Sequence, residues 1–152
     1  MKIRELMEQD VQYCTLDCNL HRAASLMWDC DCGCLPVVDS EQKCIGVITD
    51  RDICMSAFTQ GRKLQDISVV EAYSADPIYC SENASLEDAE VKMRQFQVRR
   101  LPIVDDQGRL KGIISLNNMV LNYPKYVTSK QVAKVLAGIC QPNAVESETR
   151  IV

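Results

Sequence analysis

The sequence predicts an α/β (α+β) fold of two successive β-α-β-β-α repeats, with one further helix at the end. Three observations carry this. A chain of 152 residues, 47% hydrophobic and 25% charged, can close a core without covalent staples. Leu35-Pro36-Val37-Val38-Asp39 returns as Leu101-Pro102-Ile103-Val104-Asp105, 66 positions later. The same offset aligns further residues without a gap. Asp10-x-x-Tyr13-Cys14 matches Asp76-x-x-Tyr79-Cys80, and Leu20-x-x-Ala23-x-x-x-Met27 matches Leu86-x-x-Ala89-x-x-x-Met93. Gly46-Val47-Ile48-Thr49 matches Gly112-Ile113-Ile114-Ser115, and Asp52 matches Asn118.

Each copy opens with a short strand, over 12–14 and 78–80. Asn19 and Ser85 then stand where helix N-caps belong. Leu20, Ala23, Ala24 and Met27 follow at helical spacing, and Leu86, Ala89 and Met93 repeat the stripe. Two β runs come next, joined by a tight polar turn: 35–38 and 44–49 around Asp39-Ser40-Glu41-Gln42, then 101–104 and 110–114 around Asp105-Asp106-Gln107-Gly108. A helix starts after Thr49 and after Ser115. Between the copies, Gly61 breaks the chain, and 67–73 resembles 3–7 as a lead-in helix. After the second copy Pro124 interrupts, and Ser129 can cap a helix carrying Val132, Val135, Leu136 and Ile139. The tail from Gln141 is polar and expected to fray. The chain thus divides into a first repeat (1–60), a second repeat (61–123), and a C-terminal helix with its tail (124–152).

Composition excludes several functions. A net charge of −4 argues against a general nucleic-acid partner. The N-terminus lacks the apolar core of a signal peptide, and no apolar run reaches the roughly 18 residues of a membrane span. A cytoplasmic protein is expected. The single histidine, His21, falls on the polar side of a helix, and no Ser-His-Asp set, P-loop or glycine-rich dinucleotide fingerprint is present. No catalytic residues and no catalytic cofactor are therefore expected. Nine cysteines without an export signal read as reduced thiols packed as small hydrophobes. Cys30, Cys32 and Cys34 are close enough in sequence to suggest soft-metal or redox chemistry. Their spacing is not that of a zinc knuckle, and no second cluster completes a tetrahedral site.

The two Leu-Pro-Val/Ile-Val-Asp blocks, each followed by Gly-Val/Ile-Ile-Thr/Ser-x-x-Asp/Asn, resemble the cystathionine β-synthase (CBS) domain family, arranged as a tandem pair or Bateman module. The resemblance spans about residues 1–121. It implies sheets packed about a pseudo-two-fold axis, and two clefts that take adenine nucleotides such as AMP, ADP or ATP, or sometimes S-adenosylmethionine. It also implies a homodimer and a regulatory role, possible in trans on another protein, rather than an enzyme. Other readings are a redox- or metal-responsive protein using Cys30, Cys32 and Cys34, and a structural dimerisation module with vestigial clefts. Trp28, Phe58 and the last helix are candidates for a subunit contact.

Thr49 ends a strand and opens a helix, where free N–H groups and positive charge suit phosphate. Asp52 can accept from ribose hydroxyls. The same two residues also spell a capping box, as do Ser115 and Asn118, so both roles stay open. The resemblance implies that the first cleft combines Thr49 and Asp52 with Ile78, Val98, Arg99 and Arg100. Ile78 would meet the base and the arginines the phosphates, although paired arginines also suit a solvated surface. The second cleft would combine Ser115 and Asn118 with Gln12, Cys32, Gly33 and Cys34, a small uncharged loop. A neutral Asn118 in place of aspartate weakens bonds to hydroxyls by about 1 kcal/mol, close to tenfold in affinity. The second cleft is thus expected to be the weaker for charged nucleotides.

Overall fold

The computed structural model describes residues 1–122 and 124–141. The first repeat holds β1 (Cys14–Thr15), α1 (Leu20–Asp29), β2 (Cys34–Val38), β3 (Cys44–Thr49) and α2 (Asp50–Gln60). After β4 (Ser74–Ala75), the second holds β5 (Cys80–Ser81), α3 (Leu86–Phe96), β6 (Arg100–Val104), β7 (Leu110–Ser115) and α4 (Leu116–Leu121), and α5 (Ser129–Cys140) follows. One sheet has the order β1-β2-β3-β4 and the other β5-β6-β7. In both, the first strand is parallel to the second and the hairpin is antiparallel.

The caps and stripes explain the helices. Asn19 Oδ1 accepts from Arg22 N at 2.9 Å, and Ser85 Oγ accepts from Asp88 N at 3.2 Å. Leu20, Ala23 and Met27 are buried on α1, as are Leu86, Ala89 and Met93 on α3. Three local expectations need correction. The opening strands lie slightly later than 12–14 and 78–80, because Cys14 and Cys80 begin the pairing with β2 and β6. The segment 67–73 is not one helix; 3-10 turns form at Leu64–Asp66 and Val69–Glu71, since Ile67 and Val69 must both point into the core. Thr128, not Ser129, caps α5, with its side chain accepting from Gln131 N at 3.2 Å. The segment before each repeat packs on the other repeat, which no local pattern announced. The polar tail beyond Gln141 lies outside the described residues.

That exchange obeys the 66-residue offset. Ile3 N donates to Ala84 O at 3.0 Å, and its equivalent Val69 N donates to Cys18 O at 2.9 Å. Ile3 and Leu6 complete the core of the second repeat, around Met93, Leu101 and Ile114. Ile67 and Val69 complete that of the first, around Leu20, Leu35 and Ile48. The hairpin tips meet on the axis itself. Cys44 N donates to Gly108 O at 3.0 Å and Leu110 N to Gln42 O at 2.9 Å, about a bridge between Lys43 and Arg109. These donors and acceptors are pairwise equivalent, as a pseudo-two-fold requires.

Gly46 and Gly112 serve the exchange. The incoming segments cross them so closely that a Cβ on Gly46 would lie 2.6 Å from Ser74 O, and one on Gly112 would strike the Glu8 carbonyl. Gly46 is therefore a packing residue. Gly46→Ala and Gly112→Ala are each expected to destabilise by about 1–3 kcal/mol through overpacking. Thermal melting should fall by about 2–4 °C per kcal/mol for a chain of this size. An unchanged midpoint would contradict the close crossing.

Candidate functional site

Two clefts lie between the repeats, one on each side of the axis. The first, about 560 Å³, is lined by Thr49, Asp52, Ile78, Val98, Arg99 and Arg100, together with Gly33, Cys34, Val47, Asp50, Arg51, Asp76, Pro77 and Gln97. The second, about 490 Å³, gathers Gln12, Cys32, Cys34, Ser115 and Asn118 with Glu8, Asp10, Val11, Cys30, Asp31, Arg100 and Asn117. The volumes are within the usual range for small-molecule sites. Strand register explains the convergence. Cys34 pairs with Thr49 across one hairpin and Arg100 with Ser115 across the other. Cys34 and Arg100 are equivalents on the inner strands, and each reaches both clefts.

Gly33 differs from expectation: it lines the first cleft rather than the second. Its carbonyl accepts from Asp50 N at 3.1 Å, which turns this residue toward α2. Beyond that small uncharged loop, the second cleft also takes in one arginine, Arg100, and the carboxylates of Glu8, Asp10 and Asp31. Arg51, Asp76, Asp10, Asp31 and Glu8 had not been singled out as site residues. For Asp10 and Asp76 the signal was there, since they are matched positions of the repeat that line matched clefts.

The capping boxes are formed. Asp52 Oδ2 accepts from Thr49 N at 2.9 Å and from Thr49 Oγ1 at 2.8 Å, and Asp52 N donates to Thr49 Oγ1 at 3.2 Å. Asn118 Oδ1 accepts from Ser115 N at 2.8 Å and Ser115 Oγ at 2.6 Å. This fixes the amide orientation. Past the cap, Asp52 still has an acceptor oxygen to offer, whereas Asn118 has an amino donor. The expectation of free helix amides needs revision. Asp50 N is bound to Gly33 O, Arg51 N to Asp50 Oδ1 at 2.8 Å, and Asp52 N to Thr49. Positive charge for an anion in the first cleft thus comes from Arg51, Arg99 and Arg100 side chains.

Cys30, Cys32 and Cys34 share the second cleft, yet among the described residues no three His, Cys, Asp or Glu side chains are grouped to hold a metal ion. Burial pushes the Cys34 thiol up to about 12 despite Arg100, which acts in the opposite direction. Desolvation, then Cys32 and the carboxylates of Asp29, Asp10 and Glu8, also raise Cys30. These two thiols stay protonated near neutral pH, which disfavours nucleophilic chemistry. His21 is exposed on α1. Among the described residues no helix is long and apolar enough to cross a membrane.

Comparison with known proteins agrees with this architecture. The CBS domain family model matches residues 3–57 and 69–124. The CBS domain-containing protein YhcV of Bacillus subtilis is 36% identical over 142 residues, 93% of this chain and 96% of that protein. The structure of Hypoxic Response Protein I with two coordinated zinc ions superposes with a TM-score of 0.74 at 27% identity, covering 82% of this chain and 100% of that one. CBSX2 in complex with AMP superposes with a TM-score of 0.71 at 25% identity, covering 82% and 96%. The offset repeat, the two matched sheets and the twin clefts thus have one explanation: the chain belongs to the CBS domain family, as a tandem pair.

Proposed function

We propose that the chain is a ligand-sensing regulatory module, not an enzyme, and that its first cleft holds an adenine nucleotide. One observation carries this: an acceptor carboxylate, an apolar wall and three guanidinium groups converge in one cleft. Ile78 and Val98 offer the wall for the base. Asp52 keeps an oxygen for ribose hydroxyls, and Arg51, Arg99 and Arg100 face the phosphates. CBSX2, a family relative, is known in complex with AMP. A ligand here touches both repeats, so it shifts their packing by as much as its affinity differs between the two arrangements. A protein in trans would read that shift. The zinc of Hypoxic Response Protein I leaves metal binding as the second reading, through Cys30, Cys32 and Cys34.

Calorimetry with AMP, ADP and ATP tests this proposal. Asp52→Ala should weaken binding about tenfold or more, the scale of a lost charge-assisted hydrogen bond, and Asn118→Ala should do less. Asp52→Asn separates binding from folding. It copies the Asn118 cap, so the melting temperature should hold while nucleotide affinity falls. Equal losses from Asp52→Ala and Asn118→Ala would overturn the first-cleft assignment. A melting shift with zinc alone would favour the metal reading.

We infer also that two copies pair through the first repeat. Trp28, 85% exposed, lines a groove between α1 and α2, and Phe58 on α2 is 79% exposed. The position equivalent to Trp28 is Arg94, which α5 covers, since Gly138 packs on its side chain. The first repeat has no such helix of its own over this face among the described residues. Light scattering should show a dimer for the natural chain and a monomer for Trp28→Glu with Phe58→Glu. A dimer that survives both changes would place the interface elsewhere.

A further inference from the structure

The two clefts are matched in shape by the pseudo-two-fold but not in charge. Equivalent positions can be compared one by one. Arg51 in the first cleft becomes Asn117 in the second, and Ser74 becomes Glu8. Gln97 becomes Asp31, and Asp76 stays acidic as Asp10. The backbone is conserved under the Gln97–Asp31 exchange: both are left-handed, at φ 54° and 47°, so both side chains leave the chain at the same angle. In the first cleft three arginines stand against the three carboxylates of Asp50, Asp52 and Asp76. In the second, Glu8, Asp10 and Asp31 face Arg100 alone. The amide of Asn118, its oxygen held by Ser115, points a donor rather than an acceptor beyond the cap.

We propose that the second cleft selects an adenosine derivative carrying a positive group, a sulfonium or ammonium, where the first cleft's ligand carries phosphate. This rests on the reading above that the clefts receive adenosine compounds. The physical reason is simple electrostatics. Phosphate entering the second cleft would meet three carboxylates with one counter-charge, whereas a cation meets complementary charge on the wall that the phosphate would face. The carboxylates are exposed, so each contributes modestly and under salt control. The Asn118 amino group donates to an acceptor on the same ligand, such as a ribose oxygen or a carboxylate.

S-adenosylmethionine and S-adenosylhomocysteine test this, because they differ by one methyl group and one positive charge. Binding is measured by calorimetry on the full chain with Asp52→Ala, which weakens the first cleft so that the second dominates the heat at low ligand concentration. S-adenosylmethionine should bind about fivefold more tightly at low ionic strength, the scale of a few exposed charge pairs, and the ratio should shrink with added salt. Asp10→Asn with Asp31→Asn should bring the ratio near one; asparagine keeps the shape and tolerates the left-handed backbone at position 31. Asn117→Arg should weaken S-adenosylmethionine and admit AMP. Equal binding of the two adenosyl compounds, or a preference that survives loss of both carboxylates, would overturn the inference. If neither binds while AMP still binds the natural chain in an Asp52-dependent way, this inference falls and the nucleotide function stands. If AMP fails as well, both fall.

Discussion

The structure depends on a trade across its pseudo-two-fold axis. Each repeat lacks one wall of its own core and receives it from the segment that precedes the other. Ile3 and Leu6 seal the second core, and Ile67 and Val69 the first. The hairpin tips are bound on the axis by a matched pair of backbone hydrogen bonds, Cys44 to Gly108 and Leu110 to Gln42. Buried backbone groups must find partners, so these bonds hold the two sheets in a set relation. The clefts are what that relation leaves open, walled by the ends of the inner strands and by the segments that lead into them.

Much of this was legible in the sequence because packing repeats where structure repeats. Apolar residues at helical spacing after Asn19 and Ser85 can bury only one face, and Leu-Pro-Val-Val against Leu-Pro-Ile-Val marks the same inner strand twice. The exchange was not legible. The apolar residues of 3–7 and 67–73 show that those segments pack, but not on which core, because either core would accept them. Their form differs for a related reason: residues two apart fall on opposite sides of a helix, so Ile67 and Val69 both reach the core only across a break between two short turns.

Site residues were found where they sit in a motif and missed where they do not. Thr49, Asp52, Ser115 and Asn118 end strands and begin helices, a junction that turn chemistry marks clearly. The resemblance places Gly33 in the second cleft as part of a whole segment, whereas the bend at which its carbonyl meets α2 turns this one residue to the first. Glu8 and Asp31 of the second cleft are exposed and lie outside any periodic pattern, so nothing local distinguishes them from solvated surface. Placing them needed the three-dimensional frame. With it, Cys34 and Arg100 also become a physical link between the clefts, since each of them lines both.

The exchanged segments bear on how such a molecule arises. A single repeat cut from this chain would carry a lead-in with no core beneath it, and a core with no lead-in above. Two separate copies of that piece could complete each other by swapping these ends, which makes a symmetric two-chain assembly the natural forerunner of the fused one. Fusion then frees the halves to drift apart. A homodimer must change both of its pockets together, whereas this chain can alter Arg51 without altering Asn117.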